Sequence, residues 1–495
     1  MRNERTEREE PDKPMQRRPR TARDLAVALT GAAALLLATA GCGTAAGDGG
    51  GRTVTVHVGY QSKTINTVTA GTLLRSLGYF EQELRALGRR DGVTYKVDWQ
   101  DYATGAPITA QMVAGKIDIG SMGDFPLLIN AARGVQLRQR TELVSVTGYN
   151  LRGGLNMVVT RPDSALTSLD QLRGKKVSSS VGSASDGTLV RALRQRGIDP
   201  GKDVHKLNQQ PAVGASALRA GSADALSQFV AWPGLLVFQG AAKPLYDGAA
   251  LDLPTFHGVT VRTGFAKKRP TVVDAFLAAQ IKATGYLHAH PLAAAEKVAS
   301  ATGLPAEVVY LYNGAGGVAT FDPTLKPQLV AALKKDVPVL QSAKLVGSVD
   351  VDAFTDDSFI RRAVGAGYGR QLAATANPAP VTGTDPLCGG PVSDPATASE
   401  VWPAGQESTV ALATPSCLLR YLKRHPGSAV RAAYVPDALT GTRWFAGHSV
   451  WAEDPAADAR DRFQPFTTAD NARTWLARHP GARLVSLAQA VREAP

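Results

Sequence analysis

Cysteine is almost missing from this 495-residue chain: there are three, and none lies between residues 43 and 387. A disulfide framework or a cysteine-rich metal site is therefore excluded over the long central part. Methionine is equally scarce, with five residues and none after Met157, so the later two-thirds of the chain offers no thioether ligand. Aromatic residues make up 6%, and no dense Lys/Arg run with interleaved aromatics occurs. The formal net charge of +12 thus does not point to nucleic acid. No apolar run approaches the roughly 20 residues needed to span a bilayer. There is also no Ser-His-Asp order with an elbow motif, no phosphate loop and no paired zinc-type cysteines, so the chain is expected not to be an enzyme.

The longest apolar stretch, Leu25 to Ala40, is broken by Thr30 and Gly31 and preceded by Arg17, Arg18, Arg20 and Arg23. That is the layout of a secretory leader, with a positive n-region ahead of a short apolar core. It closes on Ala38-Thr39-Ala40-Gly41-Cys42, which reads as a bacterial lipobox: small residues at the cut, then a cysteine that takes lipid. Residues 1–41 are expected to be a lipoprotein signal peptide and 42–51 a flexible Gly/Ala/Asp tether. The mature chain would then sit lipid-anchored on the extracytoplasmic face of the cell membrane. The alternative is an ordinary cleaved signal with an incidental cysteine. Without residues 1–41 the formal net charge is +10, which suits anionic headgroups or an anionic ligand. About 450 mature residues exceed what one core supports, so more than one domain is expected.

The body from Arg52 to about Gly369 alternates strand-like and helix-like segments. Thr53 to Tyr60 alternates at period two, and Leu73, Leu74, Leu77, Phe80 and Leu84 follow at helical spacing within Ala70–Leu87. A strand at Thr94–Trp99, a helix at Ala106–Ala114, a strand at Ile117–Gly120 and a helix opening at Asp124 continue the pattern. The fold class this implies is α/β with mostly parallel sheet. Ligands in such folds sit beyond the carboxyl ends of strands, against helix N-termini.

Several segments in order carry a resemblance. They are Gly59-Tyr60-Gln61, Gly115 to Pro126, Leu169 to Val177, Gly182 to Gly187, and Ala220 to Ala225 followed by Trp232-Pro233. Together they resemble the extracytoplasmic solute-binding proteins of ABC importers, in the nitrate/sulfonate/taurine branch. The resemblance implies a two-lobed periplasmic-binding-protein type II fold that closes on its ligand by a hinge. It also implies an ABC permease and ATPase as membrane partners, a small-molecule anion as ligand, and a monomer. Lobe one is expected at about 52–147 and 258–370, lobe two at about 148–257. Free N–H groups and helix dipoles favour an anion without a full charge. The candidate ligand-binding residues are Gln61, Ser62, Ser121, Gly123 and Asp124 in one lobe, with Ser183, Ser185, Thr188 and Trp232 in the other. Asp124 reads better as a helix cap than as an anion ligand, because a carboxylate would repel a sulfonate, and Asn150 and Asn156 serve hinge or ligand alike. The pyrimidine synthases of thiamine biosynthesis share the fold but need a cysteine-rich loop and iron-binding histidines, which this body lacks. A binding protein for a thiamine-pyrimidine precursor is the milder form of that alternative.

Leu372 to Pro386 reads LAATANPAPVTGTDP and is expected to be a linker, at 371–386. Beyond it come Cys388-Gly389-Gly390-Pro391-Val392, Ser416 to Leu422, Ala433 to Gly441, Trp444 to Val450, Gln464 to Ala472 and Arg483 to Leu487. In that order they resemble the copper-binding NosL lipoproteins, implying a small C-terminal α+β domain over 387–492 with Cys417 opening a helix. The family binds Cu(I) through soft sulfur. Here Gly390 stands where the family carries methionine, and the domain has no methionine at all. Cys388, Cys417 and His448 remain as candidate Cu(I) ligands. A Cys388–Cys417 disulfide is the rival fate in an oxidising compartment, and the spacing leaves both open. A copper-binding accessory or metal-linked receptor is accordingly a second functional reading.

Overall fold

Residues 52–494 are described by the computed structural model; the leader, Cys42 and the tether fall outside the described residues. Apolar Val54, Val56 and Val58 alternate along β1 (Arg52–Tyr60), which is followed by β2 (Val93–Asp101), β3 (Ile119–Gly123) and β4 (Thr141–Asn150). The chain then crosses into a second lobe through residues 151–155. There it lays down β5 (Asn156–Thr160), β6 (Lys176–Ser179), β7 (His205–Asn208), β8 (Ala225–Phe229) and β9 (Lys243–Asp247). It returns through residues 248–254 to β10 (Thr255–Arg262) and the two-residue β11 (Thr320–Phe321). The first sheet runs β11-β4-β10-β3-β1-β2 and the second β7-β6-β8-β5-β9.

Neither sheet is mostly parallel, which corrects the pattern-based expectation. β1 pairs in parallel with β2 and β3, but β10 runs antiparallel to both β3 and β4. In the second sheet β6 is parallel to β7 and β8, while β5 is antiparallel to β8 and β9. The antiparallel members include the strands that carry the chain between lobes. They enter each sheet from the crossing side, without the helical crossover that parallel neighbours need. The expected continuous helix over Ala70–Leu87 is also broken. Gly78 takes φ 66° between the helices Thr72–Leu77 and Tyr79–Asp91, a backbone state that glycine enters at little cost.

The C-terminal part packs a helix, Pro415–Arg424, against a four-stranded antiparallel sheet. In that sheet Ser399–Pro403 lies between Val410–Leu412 and Val430–Pro436, with Arg443–Phe445 outermost. A three-stranded sheet centred on Val450–Glu453 adjoins it. Thr414 caps the helix, Leu418 and Leu419 are buried, and Leu422 is half-buried beside the same cluster. This module is no free appendage. Trp402, Tyr434, Trp444 and Phe445 share one apolar cluster with Ile65, Leu155, Leu236 and Tyr310 of the body. The Pro/Ala-rich stretch before it is held too: Gly316 N–H donates to the Ala379 carbonyl at 2.7 Å, and Val381 is buried.

Candidate functional site

Four helices start at one place, two from each lobe. Thr104 precedes the helix Gly105–Val113 and Gly123 caps Asp124–Gln136; Ser183 caps Ala184–Gln195 and Gln210 caps Pro211–Arg219. All four cap residues line a single cavity of about 80 Å³ between the lobes. Each start leaves N–H groups that no turn of its own helix can satisfy, so the four dipoles add at one point. None of the lining residues is Lys, Arg, Asp or Glu. The site is electropositive by backbone orientation alone.

Side chains finish the wall. Gln61, at the end of β1, donates Nε2–H to the Ser121 carbonyl at 3.1 Å. The buried hydroxyl of Thr104 has no hydrogen-bond partner. Asn208 Oδ1 accepts the Val181 N–H at 3.1 Å, which leaves the amide nitrogen for another acceptor. Pro126, Ile129, Val181 and Phe229 give the cavity an apolar side.

His257 is the least expected member. It lies on β10 directly opposite Gly123 of β3, and a Cβ on Gly123 would sit 3.2 Å from its Cε1 and Nε2. Burial pushes its imidazole down to about 3, so the ring is neutral. Asn66 Nδ2 lies 2.7 Å from His257 Nδ1 and 3.2 Å from the Gly148 carbonyl. A carbonyl only accepts, so the amide nitrogen faces both atoms and donates to Nδ1. The ring proton therefore sits on Nε2, at the cavity.

Of the sequence-derived candidates, the fold brings Gln61, Gly123 and Ser183 to the cavity. The others have different work. Ser62 bonds Asp101 through both its N–H (2.8 Å) and its hydroxyl (2.6 Å). Ser121 contributes its carbonyl to Gln61, and its hydroxyl is buried without a partner. Ser185 pairs with Ser183 at 2.9 Å, and Thr188 accepts from Asn156 at 3.0 Å. Asp124 is not aimed at a ligand: its carboxylate takes the Thr255 hydroxyl at 2.6 Å and the Phe125 N–H at 2.8 Å, stapling its helix to the returning strand. Burial raises its pKa, with those hydrogen bonds opposing. Trp232 opens the helix Trp232–Phe238 and packs on the apolar cluster shared with the C-terminal module. Asn150 belongs to the hinge, its Oδ1 accepting the N–H groups of Arg152, Gly153 and Gly154 at 3.0 Å each.

The lobes touch across the cavity rim. Arg191 in lobe two donates to Asp336 in lobe one at 2.7 Å, and Gly187 faces the Phe125 ring so closely that a Cβ would lie 2.0 Å from it.

Outside the lining of this cavity, Cys388 and Cys417 are joined in a disulfide. The group gathered there is Asp385, Cys388 and Cys417, without His448. With both sulfurs bonded to each other and no methionine nearby in sequence, these residues do not fit Cu(I).

The NMT1-like family model matches residues 49–303. The chain is 25% identical over 333 residues to a putative aliphatic sulfonates-binding protein of Bacillus subtilis, covering 67% of this chain and 95% of that protein. It is 27% identical over 237 residues to the taurine-binding periplasmic protein of Escherichia coli, covering 47% of this chain and 70% of that one. Among solved structures it resembles the alkanesulfonate-binding protein SsuA from Xanthomonas axonopodis bound to MOPS, with TM-score 0.51 and 21% identity over 61% of this chain and 98% of that one. The nitrate-binding protein NrtA from Synechocystis gives TM-score 0.50 and 13% identity, over 65% and 91%. These likenesses show the two-lobed binding-protein fold.

Proposed function

This chain belongs to the NMT1-like family, and we propose that it is the extracytoplasmic solute-binding component of an ABC importer for a small anion. The observation that carries this reading is the meeting of four helix N-termini, from both lobes, on one cavity without a charged side chain. Such a site pays little desolvation cost of its own and favours an oxyanion. Apolar Pro126, Ile129, Val181 and Phe229 suit a short hydrocarbon tail, and no lining carboxylate meets an ammonium. A small alkanesulfonate therefore fits better than taurine or nitrate. Closure buries the anion, and the closed form is presented to a permease and its ATPase. Cys42 would hold the protein to the membrane by lipid. Among the described residues no helix is long and apolar enough to cross one. We read residues 387–492 as a degenerate NosL-like module in which the cysteine pair staples the fold rather than holding metal.

Calorimetric titration of the mature chain with ethanesulfonate, taurine and nitrate tests this. Saturable binding is expected, tightest for ethanesulfonate. No heat from any of the three up to about 10 mM, where even a weak site of −4 kcal/mol registers, would overturn it.

A further inference from the structure

A second cavity, of about 370 Å³, lies where lobe one, the Pro/Ala-rich stretch and the C-terminal module meet. Asn150 at the end of β4 and Val318 contribute one wall, Asn377 and Val381 another, and Ser393 and Arg443 the module's side. Arg443 is 5% exposed. It pairs through Nη2 with Glu400 Oε2, while Nε is buried with no partner. Its Nη1 lies 3.3 Å from where a Cβ on Gly316 would sit, at the cavity wall. Glu400 does not depend on Arg443 alone, since Tyr310 and Thr409 also donate to it. An arginine carries five N–H donors, and buried donors are nearly always paired. The guanidinium also lies over the Tyr434 ring, 4.7 Å from its centroid, which leaves Nε unpaired and Nη1 at the wall of a roomy space lined by prolines and valines.

We propose that this cavity is a second ligand site, for a small organic carboxylate with an apolar body. The carboxylate meets the Nη1 edge of Arg443, and the body lies against Val318 and Val381. The site is separate from the interlobe cavity and does not depend on which solute that cavity takes.

The test uses 4-bromobenzoate as the probe and the mature chain saturated with ethanesulfonate. Removing Arg443 strands Glu400 and risks unfolding, so the blocking variant is Ser393→Trp, which fills the cavity from its exposed rim. Calorimetry should give a dissociation constant of about 1 mM or tighter, weakened at least about tenfold in Ser393→Trp and for uncharged 4-bromobenzamide. The bromine anomalous peak in a co-crystal should lie in this cavity. Absence of binding up to about 10 mM would overturn the proposal. So would equal binding by the variant or the amide, or a bromine peak elsewhere.

Discussion

Asn66 and His257 are 191 positions apart, yet the Asn66 amide donates to His257 Nδ1 at 2.7 Å and so places the ring's proton on Nε2 at the cavity wall. An anion there meets a neutral donor, not a titrating cation. Replacing His257 with Phe removes that donor, and a hydrogen bond to a charged group is worth about 1.5–3 kcal/mol. Affinity for ethanesulfonate should fall by roughly ten- to a hundredfold. In the wild type affinity should stay flat from pH 5 to 8. Asn66→Ala should lower affinity across that whole range without making it pH-dependent, because the ring then loses the partner that fixes its tautomer while burial still keeps it neutral. Titrations across that range check both.

Closure leaves no room at Gly187, where any Cβ would run into the Phe125 ring. Gly187→Val should therefore wedge the lobes apart and weaken solute binding at least about tenfold, the reading of a 1.4 kcal/mol loss. The unliganded protein, free to open, should keep its melting temperature within a few degrees. Small-angle scattering with saturating solute should show a larger radius for the variant than for the wild type.

Two buried groups pull stability in opposite directions with pH. His257, held near 3 against 6.5 unfolded, binds fewer protons folded than unfolded in that window, so stability is lost as pH falls below about 6.5. Asp247, at the second crossing, is pushed up to about 6 by burial and then by the Asp437 charge. It binds more protons folded, so stability is lost as pH rises from about 4 to 6. Relative to wild type, Asp247→Asn should gain about 3 kcal/mol between pH 4 and 7, from a shift of about two units. His257→Phe should gain instead on acidification. Denaturant melts at the two pH values distinguish these signs.

The Cys388–Cys417 bond closes a loop with sequence separation 29. Chain-entropy arguments put its worth at about 3–4 kcal/mol. Reduction, or Cys388→Ala, should lower the module's stability by that order while leaving sulfonate affinity within about twofold, since the cavity is built elsewhere. Cu(I) titration of the oxidised protein should give no stoichiometric binding.

The parts of the site set by local pattern were legible in the sequence. Gln61 ends an alternating strand, and Gly123 and Ser183 stand before apolar helices, so strand end and cap give them away. Thr104 and Gln210 carry the same kind of signal, a threonine before Gly105 and a glutamine before the N1 proline Pro211, but neither stands out from ordinary caps in one sequence. Asn208 and Phe229 end their strands on the cavity side, which one sequence does not mark. His257 had no local sign at all: its place follows from the antiparallel register of β10 on β3, a pairing between segments more than a hundred residues apart. Ser62, Ser185, Thr188 and Trp232 sit in the right loops and helices but face other partners, and Ser121 lies within β3 with its hydroxyl buried and unpartnered. The antiparallel crossings and the module's grip on the hinge depend on tertiary contacts such as Thr442 to Asp247 at 2.6 Å, which no periodicity encodes.

The most direct test is a crystal structure of the mature chain grown with ethanesulfonate. The account predicts the sulfonate in the interlobe cavity, its oxygens taking backbone N–H groups at helix starts of both lobes and His257 Nε2–H, with no lysine or arginine in contact. A sulfonate held by cationic side chains, or bound outside that cavity, would contradict it.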